Sequence, residues 1–65
     1  MKLDKNKLRI AMARACMDVD DIIQAANMPR PTFNNAVQGR SVRPATLGRI
    51  ARALGIDVTE IIKED

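Results

Sequence analysis

Arginine is the residue type in this chain whose distribution points most directly to chemistry. The chain has no Asp or Glu between Ile22 and Ile56, and five arginines lie within that span: Arg30, Arg40, Arg43, Arg49 and Arg52. Guanidinium groups bind phosphate through paired hydrogen bonds, and a segment carrying charge of one sign attracts polyanions. The distribution therefore indicates a phosphate-binding surface. The alternative is a solvated surface that happens to lack acids.

A short amide-rich helix is predicted within this basic span. It begins near a proline and ends at Gly39, as helices often do. At 3.6 residues per turn, Phe33, Ala36 and Val37 share one side. The opposite side carries Pro31, Asn35 and Gln38, flanked by Thr32 and Asn34, so it consists mostly of amides and has no carboxylate. Amides pair bidentately with adenine and arginine pairs with guanine, which favours a recognition surface over an ordinary solvated helix face.

The elements that position these residues are predicted to be helices throughout. Glycine and proline divide the chain into short segments that lack the alternation of strands, so we predict an all-α fold, a compact bundle of four to five short helices. Asp4 should cap a first helix that runs to about Met17. Its apolar stripe has helical spacing and consists of Leu8, Ala11, Met12 and Ala15.

The second helix should begin near Val19. The acids Asp18, Asp20 and Asp21 form a pattern like a capping box, with a metal cluster as the alternative. Its buried side is predicted to be Ile22, Ile23 and Ala26. Asn27 should end it, because Asn tolerates the left-handed conformation.

The third helix is predicted to use Arg30 as its cap and Pro31 in its first turn, since a residue before proline avoids the helical conformation. Pro44 and Gly55 bound a fourth helix with Leu47, Ile50, Ala51 and Leu54 at core spacing. Asp57 should cap a last short apolar segment. Arg30 and Arg43 each precede a helix-starting proline, where an anion would offset the local positive charge.

Length and composition limit the remaining possibilities. The 65 residues allow one domain, 1–65, with a small core. With no His and only Cys16, which we expect to be a reduced core residue, we predict no metal, cofactor or catalytic site, and no small-molecule ligand is evident. No signal peptide or membrane span is evident, so we expect a cytoplasmic protein. Self-association should supplement the core, with an interface at Leu54, Val58, Ile61 and Ile62.

A family resemblance covers roughly residues 8–62. Two short helices around Ala25–Pro29, then an amide-rich helix, a basic loop and the stretch Leu47–Ile56, resemble the lambda-repressor-like helix-turn-helix family that includes phage Cro and CI proteins. Residues 47–56 match the family's fourth helix closely, and residues 57–62 match its fifth. The resemblance implies a helix-turn-helix at about residues 18–38, with the third helix in the DNA major groove.

The resemblance also implies roles for individual residues. Four residues match positions that face base edges: Arg30, Pro31, Thr32 and Asn35. Five match positions that meet backbone phosphates: Asn34, Gln38, Arg40, Ser41 and Arg43. The chain departs from the family pattern at Val19, often Gln, and at Asn27, often Gly. Val37 and Met12 stand where the family frequently has a Glu–Arg ion pair.

Together these features predict a sequence-specific regulator of transcription that binds double-stranded DNA. We expect a small repressor of a phage or mobile element that binds a near-palindromic operator as a homodimer. The alternative is an antitoxin-like or adaptor module that binds a protein through its apolar tail and DNA only secondarily.

Overall fold

Four α-helices and one 3₁₀ turn organise the chain in the computed structural model, which describes residues 1–63. The helices are α1 Lys5–Ala15, α2 Val19–Ala26, α3 Arg30–Val37 and α4 Pro44–Leu54, and the 3₁₀ turn is Val58–Glu60. No named strand occurs among the described residues, and the predicted all-α fold is confirmed. No described helix is both long enough and apolar enough to cross a membrane.

Aspartates cap the first two helices as predicted. The Asp4 carboxylate accepts the backbone N–H groups of Asn6 and Lys7 at 3.0 and 3.1 Å. Asp18 and Asp21 each accept the other's backbone N–H at 3.0 Å, which forms the reciprocal capping box. Two of the three acids at the start of α2, Asp18 and Asp21, therefore have the capping role that the sequence indicated.

The end of α1 differs from the prediction. The helix stops at Ala15, two residues early, because Cys16 adopts the left-handed conformation at φ 54°. Its backbone N–H bonds the Ala13 carbonyl at 3.2 Å, which completes the helix end. Cys16 is exposed, so its predicted place in the core is wrong.

The turn between α2 and α3 starts at Asn27, which ends α2 in the left-handed conformation at φ 53°, as predicted. Met28 follows and is buried. The predicted cap of α3 is wrong by one residue. Pro29 is the extended N-cap, and its carbonyl accepts from Thr32 and Phe33, while Arg30 is already helical. Pro31 still lies in the first turn, where its missing N–H breaks no intrahelical bond.

The core lies mainly between α4 and the helices around it. α4 packs against α2, α1 and the 3₁₀ turn. Its predicted stripe is buried: Leu47, Ile50, Ala51 and Leu54. Phe33 of α3 and Ile22 of α2 are among the largest fully buried side chains. Each fully buried side chain of this size contributes about 1.5–3 kcal/mol relative to its exposed state.

Two residues of the predicted dimer interface belong instead to this core. Leu54 and Ile61 are 7% and 0% exposed within the single chain. They pack in the core of the single chain, which accounts for the apolar character of the tail. The interpretation of these two residues as an exposed surface is therefore wrong. Val58 and Ile62 are half-buried.

The first residues form an unpredicted link across the molecule. Leu3 is buried and forms an isolated antiparallel bridge with Ile62. The backbone N–H of Asp4 donates to the Ile61 carbonyl at 2.8 Å, and that of Lys63 donates to the Lys2 carbonyl at 2.9 Å. The N-terminal segment therefore ties the end of the described chain to the start of α1.

The capping box predicts how stability depends on pH. Hydrogen bonds from Asp21, its backbone N–H foremost, hold the pKa of the Asp18 carboxyl below its ordinary value of 3.8. A carboxyl whose pKa is lower in the folded than in the unfolded state stabilises the fold above pH 3.8. This stabilisation is lost as the pH falls through the pKa of the folded state. We expect Asp18→Ala to lower the thermal unfolding midpoint near neutral pH, with a gap to wild type that closes well below pH 3.8.

The measurement is thermal unfolding followed by circular dichroism across that pH range. Asp57→Ala is the parallel variant, because the backbone N–H and then the hydroxyl of Thr59 lower the pKa of Asp57 in the same direction. A gap for Asp18→Ala that stayed constant down to the lowest pH would contradict this account.

Candidate nucleic-acid interface

The third helix presents two different sides, as its sequence indicated. Phe33 and Ala36 are buried at 2% and 0% exposure, and Val37 is half-buried against the core. The outer side consists of exposed Pro31, Asn34, Asn35 and Gln38, with half-buried Thr32 beside them. Burial of the apolar side fixes the rotation of α3 about its axis and therefore fixes which polar side chains face outward.

An open groove joins the outer side of α3 to the start of α4. It measures about 610 Å³ and is lined by Thr32, Asn35, Ser41, Val42, Arg43 and Thr46. Thr32 lies in the first turn of α3 and Thr46 in the first turn of α4. Four residues predicted to contact bases or phosphates, from two separate segments, thus meet at one surface.

A hydrogen bond connects a predicted phosphate-contacting residue to a predicted base-contacting one. Arg40 Nη1 donates to Asn35 Oδ1 at 3.3 Å, and both residues are exposed. An amide oxygen has two lone pairs, so Asn35 can accept this bond and still accept from a base. The Asn35 NH₂ group keeps both of its donors for a partner.

The helix starts divide into two kinds. Asp4, Asp18 and Asp57 cap α1, α2 and the 3₁₀ turn with their side chains. Within the described residues no side chain caps α3 or α4, and the first turn of neither contains an acid. A helix start carries unpaired N–H groups and partial positive charge. The two uncapped starts are those whose first turns line the groove.

The loop between α3 and α4 is held in place by backbone contacts. Gly39 takes φ 82°, a conformation that favours glycine, and its N–H bonds the Ala36 carbonyl at 3.2 Å. The backbone N–H of Val42 donates to the Met1 carbonyl at 2.8 Å. The N-terminal segment therefore supports the loop that carries Ser41 and Arg43 into the groove.

Other predicted site residues lie outside this groove. Arg30 forms an exposed ion pair with Asp20 of α2. Gln38 borders a second groove, which it shares with Lys2 and Lys63. The central span contains no acid in sequence, but folding brings the carboxylate of Asp20 in α2 next to the start of α3.

The remaining basic residues are also dispersed. Arg49 and Arg52 line a separate groove with Asn27 at the end of α2. Of the five arginines in the central span, Arg43 lines the main groove, and Arg40 reaches it through Asn35. The groove thus includes fewer of the central arginines than the charge pattern of the sequence suggested.

Sequence reasoning missed three residues at or near this surface: Val42, Thr46 and Asp20. Thr46 carried a signal, because a hydroxyl in the first turn of a proline-initiated helix lies beside unpaired N–H groups. Asp20 stands ten positions before Arg30, and only the fold brings the two side chains together. Val42 carried no sequence signal, since its place depends on the contact with Met1.

A comparison with protein-family models decides what this arrangement represents. The model described as Cro/C1-type HTH DNA-binding domain matches residues 7–64. The chain belongs to this family. The match spans both helices of the helix-turn-helix, the basic loop and α4, so the predicted family is confirmed and double-stranded DNA is the ligand class. Searches of curated proteins and of solved structures found no match.

The phosphate contact predicted for Arg43 gives a measurable expectation. Arg43→Ala should weaken binding to all duplex sequences nearly alike, because a phosphate contact carries no base information. It should also reduce the magnitude of the slope of log affinity against log salt by about 0.9, the value for one phosphate. Fluorescence anisotropy with a labelled duplex at several salt concentrations measures both quantities.

Arg14→Ala is the matched control. Arg14 pairs with Glu60 at 3.6 Å, and the two residues line a groove that contains none of the candidate DNA-contacting residues. The salt slope of this variant should stay close to that of wild type. An unchanged slope in Arg43→Ala, or a loss confined to one base pair, would assign Arg43 a different role.

Proposed function

We propose that this Cro/C1-type domain is a sequence-specific regulator of transcription that acts as a small repressor by occupying a promoter. The observation that carries the proposal is the pair of uncapped helix starts, α3 and α4, at one groove lined by amide, hydroxyl and guanidinium groups. The partial positive charge at a helix start favours phosphate, and the side chains between the two starts are of the types that read base edges.

Base reading is assigned to four residues of α3: Arg30, Pro31, Thr32 and Asn35. Asn35 and Thr32 line the groove, and Asn35 can pair bidentately with adenine. Arg30, the first residue of the helix, is suited to guanine. Pro31 is exposed and has no donor, so its contribution is apolar contact with a thymine methyl group.

Phosphate binding is assigned to Asn34 of α3, to Gln38 at its end and to the loop that follows it. Ser41 and Arg43 line the groove, and Arg40 lies against Asn35. Asn34 and Gln38 are exposed on the outer part of α3 and would reach the backbone at the edge of the major groove. These contacts position α3 on the duplex, while the base-reading residues supply the specificity.

A two-fold dimer on a near-palindromic operator is part of the proposal. A dimer would place two copies of α3 at half-sites roughly 34 Å apart, one helical turn of DNA. Its interface must use residues outside the core. Of the four residues predicted from the sequence, Val58 and Ile62 remain partly accessible.

A protein-interaction role, as in an antitoxin or adaptor, is the second candidate, and Ile10 is the observation that favours it. Ile10 is 57% exposed and, with Met1, is one of two large apolar side chains that are exposed among the described residues. It shares a groove with half-buried Ile56. The salt titration separates the two candidates, because an apolar protein interface responds far less to salt than phosphate binding does.

The base-reading assignment predicts a specific loss in Asn35→Ala. After selection of bound sites from random duplex DNA, this variant should lose about 1–3 kcal/mol of discrimination at one or two base pairs. Competition binding with single-base-pair variants of the selected site measures the loss. Asn27→Ala is unsuitable as a control because the backbone of Asn27 is left-handed. Ala13 is exposed on α1, so Ala13→Asn serves as the control, an exchange between the same two residue types away from the groove.

Ala13→Asn should leave the discrimination unchanged at every base pair. If Asn35→Ala instead weakened all sequences equally, Asn35 would be a phosphate contact, and the assignment of base reading to this part of α3 would be wrong.

The dimer predicts a stoichiometry. Sedimentation of the protein with the selected duplex should give two protomers per site, and the protected region should consist of two half-sites one helical turn apart. One protomer per fully bound site would contradict the two-fold geometry, although it would leave the base assignments intact.

A further inference from the structure

The ion pair between α2 and α3 provides a further inference about how a base is selected. Asp20 Oδ1 accepts from Arg30 Nη2, and the two side chains are 69% and 57% exposed. Exposed ion pairs contribute little to folding stability. The fold therefore gains little from this contact, which joins the first turn of α2 to the first residue of α3.

The neighbouring acids do not share this arrangement. Asp18 and Asp21 bind each other's backbone N–H groups in the capping box. Asp20 lies between them in sequence, and its carboxylate has Arg30 as its partner instead. Of the three acids at this helix start, Asp20 is the one directed toward α3.

The geometry of guanidinium allows Arg30 to hold Asp20 and a base together. Arginine has five N–H donors in one plane, and the contact with Asp20 engages one of its two terminal nitrogens. The remaining donors are enough for the O6 and N7 acceptors of guanine. A carboxylate that holds one end of the guanidinium restricts its orientation, which reduces the freedom that binding would otherwise remove.

The same carboxylate disfavours other uses of Arg30. If Arg30 moved to a phosphate or faced a base without acceptors, Asp20 would remain unpaired in the negative field of DNA. Asp20 therefore weakens nonspecific backbone binding and leaves guanine as the partner that satisfies both side chains.

We propose that Asp20 is a positioning residue that holds Arg30 for guanine and so determines specificity at one base pair of the operator. The proposal rests on the proposed function, because it requires α3 to read bases. It gives Asp20 a specificity-determining role that acts through Arg30.

The test compares Asp20→Asn with Glu60→Gln. Both changes remove one negative charge and disrupt one exposed ion pair with an arginine, but Glu60 pairs with Arg14 on a surface without candidate DNA-contacting residues. Arg30→Ala first identifies the base pair that Arg30 reads. Discrimination at that base pair, and affinity for an unselected duplex, are then measured for each variant.

Asp20→Asn should lose about tenfold discrimination at that base pair, the lower part of the range for a bidentate contact, and should bind unselected duplex more tightly than wild type. Asp20→Glu, which keeps the carboxylate, should restore part of the discrimination. Glu60→Gln should keep it in full. Asp20→Asn combined with Arg30→Ala should discriminate no worse than Arg30→Ala alone, because Asp20 acts through Arg30.

Unchanged discrimination in Asp20→Asn, or an equal loss in Glu60→Gln, would overturn the role of Asp20. A circular-dichroism melt shows whether each variant is folded. If Asp20→Asn does not fold, Asp20→Glu is the variant that decides the test. Failure of the proposed function looks different, since wild type would then bind selected and unselected duplexes alike.

Discussion

Burial of one side of α3 is the constraint on which the interface depends. Phe33 and Ala36 are almost completely enclosed by the core, so α3 cannot rotate without exposing them. Loss of a buried Phe side chain costs about 3–5 kcal/mol, a large share of the stability of so small a domain. The polar residues on the opposite side of α3 are therefore directed outward by packing, before any contact with DNA.

The fold was largely predictable because its helix boundaries are set by local chemistry. Asp4 and Asp18 cap helices through their own side chains, and Asn27 and Gly55 end helices in the left-handed conformation. The errors arose where tertiary contacts decide. Cys16 ends α1 without a residue type that favours that conformation, and Leu54 and Ile61 join a core whose extent the sequence did not reveal.

The site was predictable in part, for a related reason. Periodicity alone places Thr32 and Asn35 outward, and the groove adds Ser41 and Arg43 from the loop. The ion pair of Asp20 with Arg30 joins residues ten positions apart and could not be inferred from spacing. The support of Val42 by Met1 spans more than forty positions and needed the fold as well. The resulting surface has uncapped helix starts where phosphate would bind and aspartate caps elsewhere.

The most direct test of this account is the mapping of backbone amide shifts by nuclear magnetic resonance during titration with a duplex selected for binding. The account predicts that the largest changes fall on the first turns of α3 and α4 and on the loop between them, including Thr32, Ser41 and Thr46. Amides around Ile10 and Glu60 should change little. The largest changes around Ile10, with none in the first turns of α3 and α4, would contradict it.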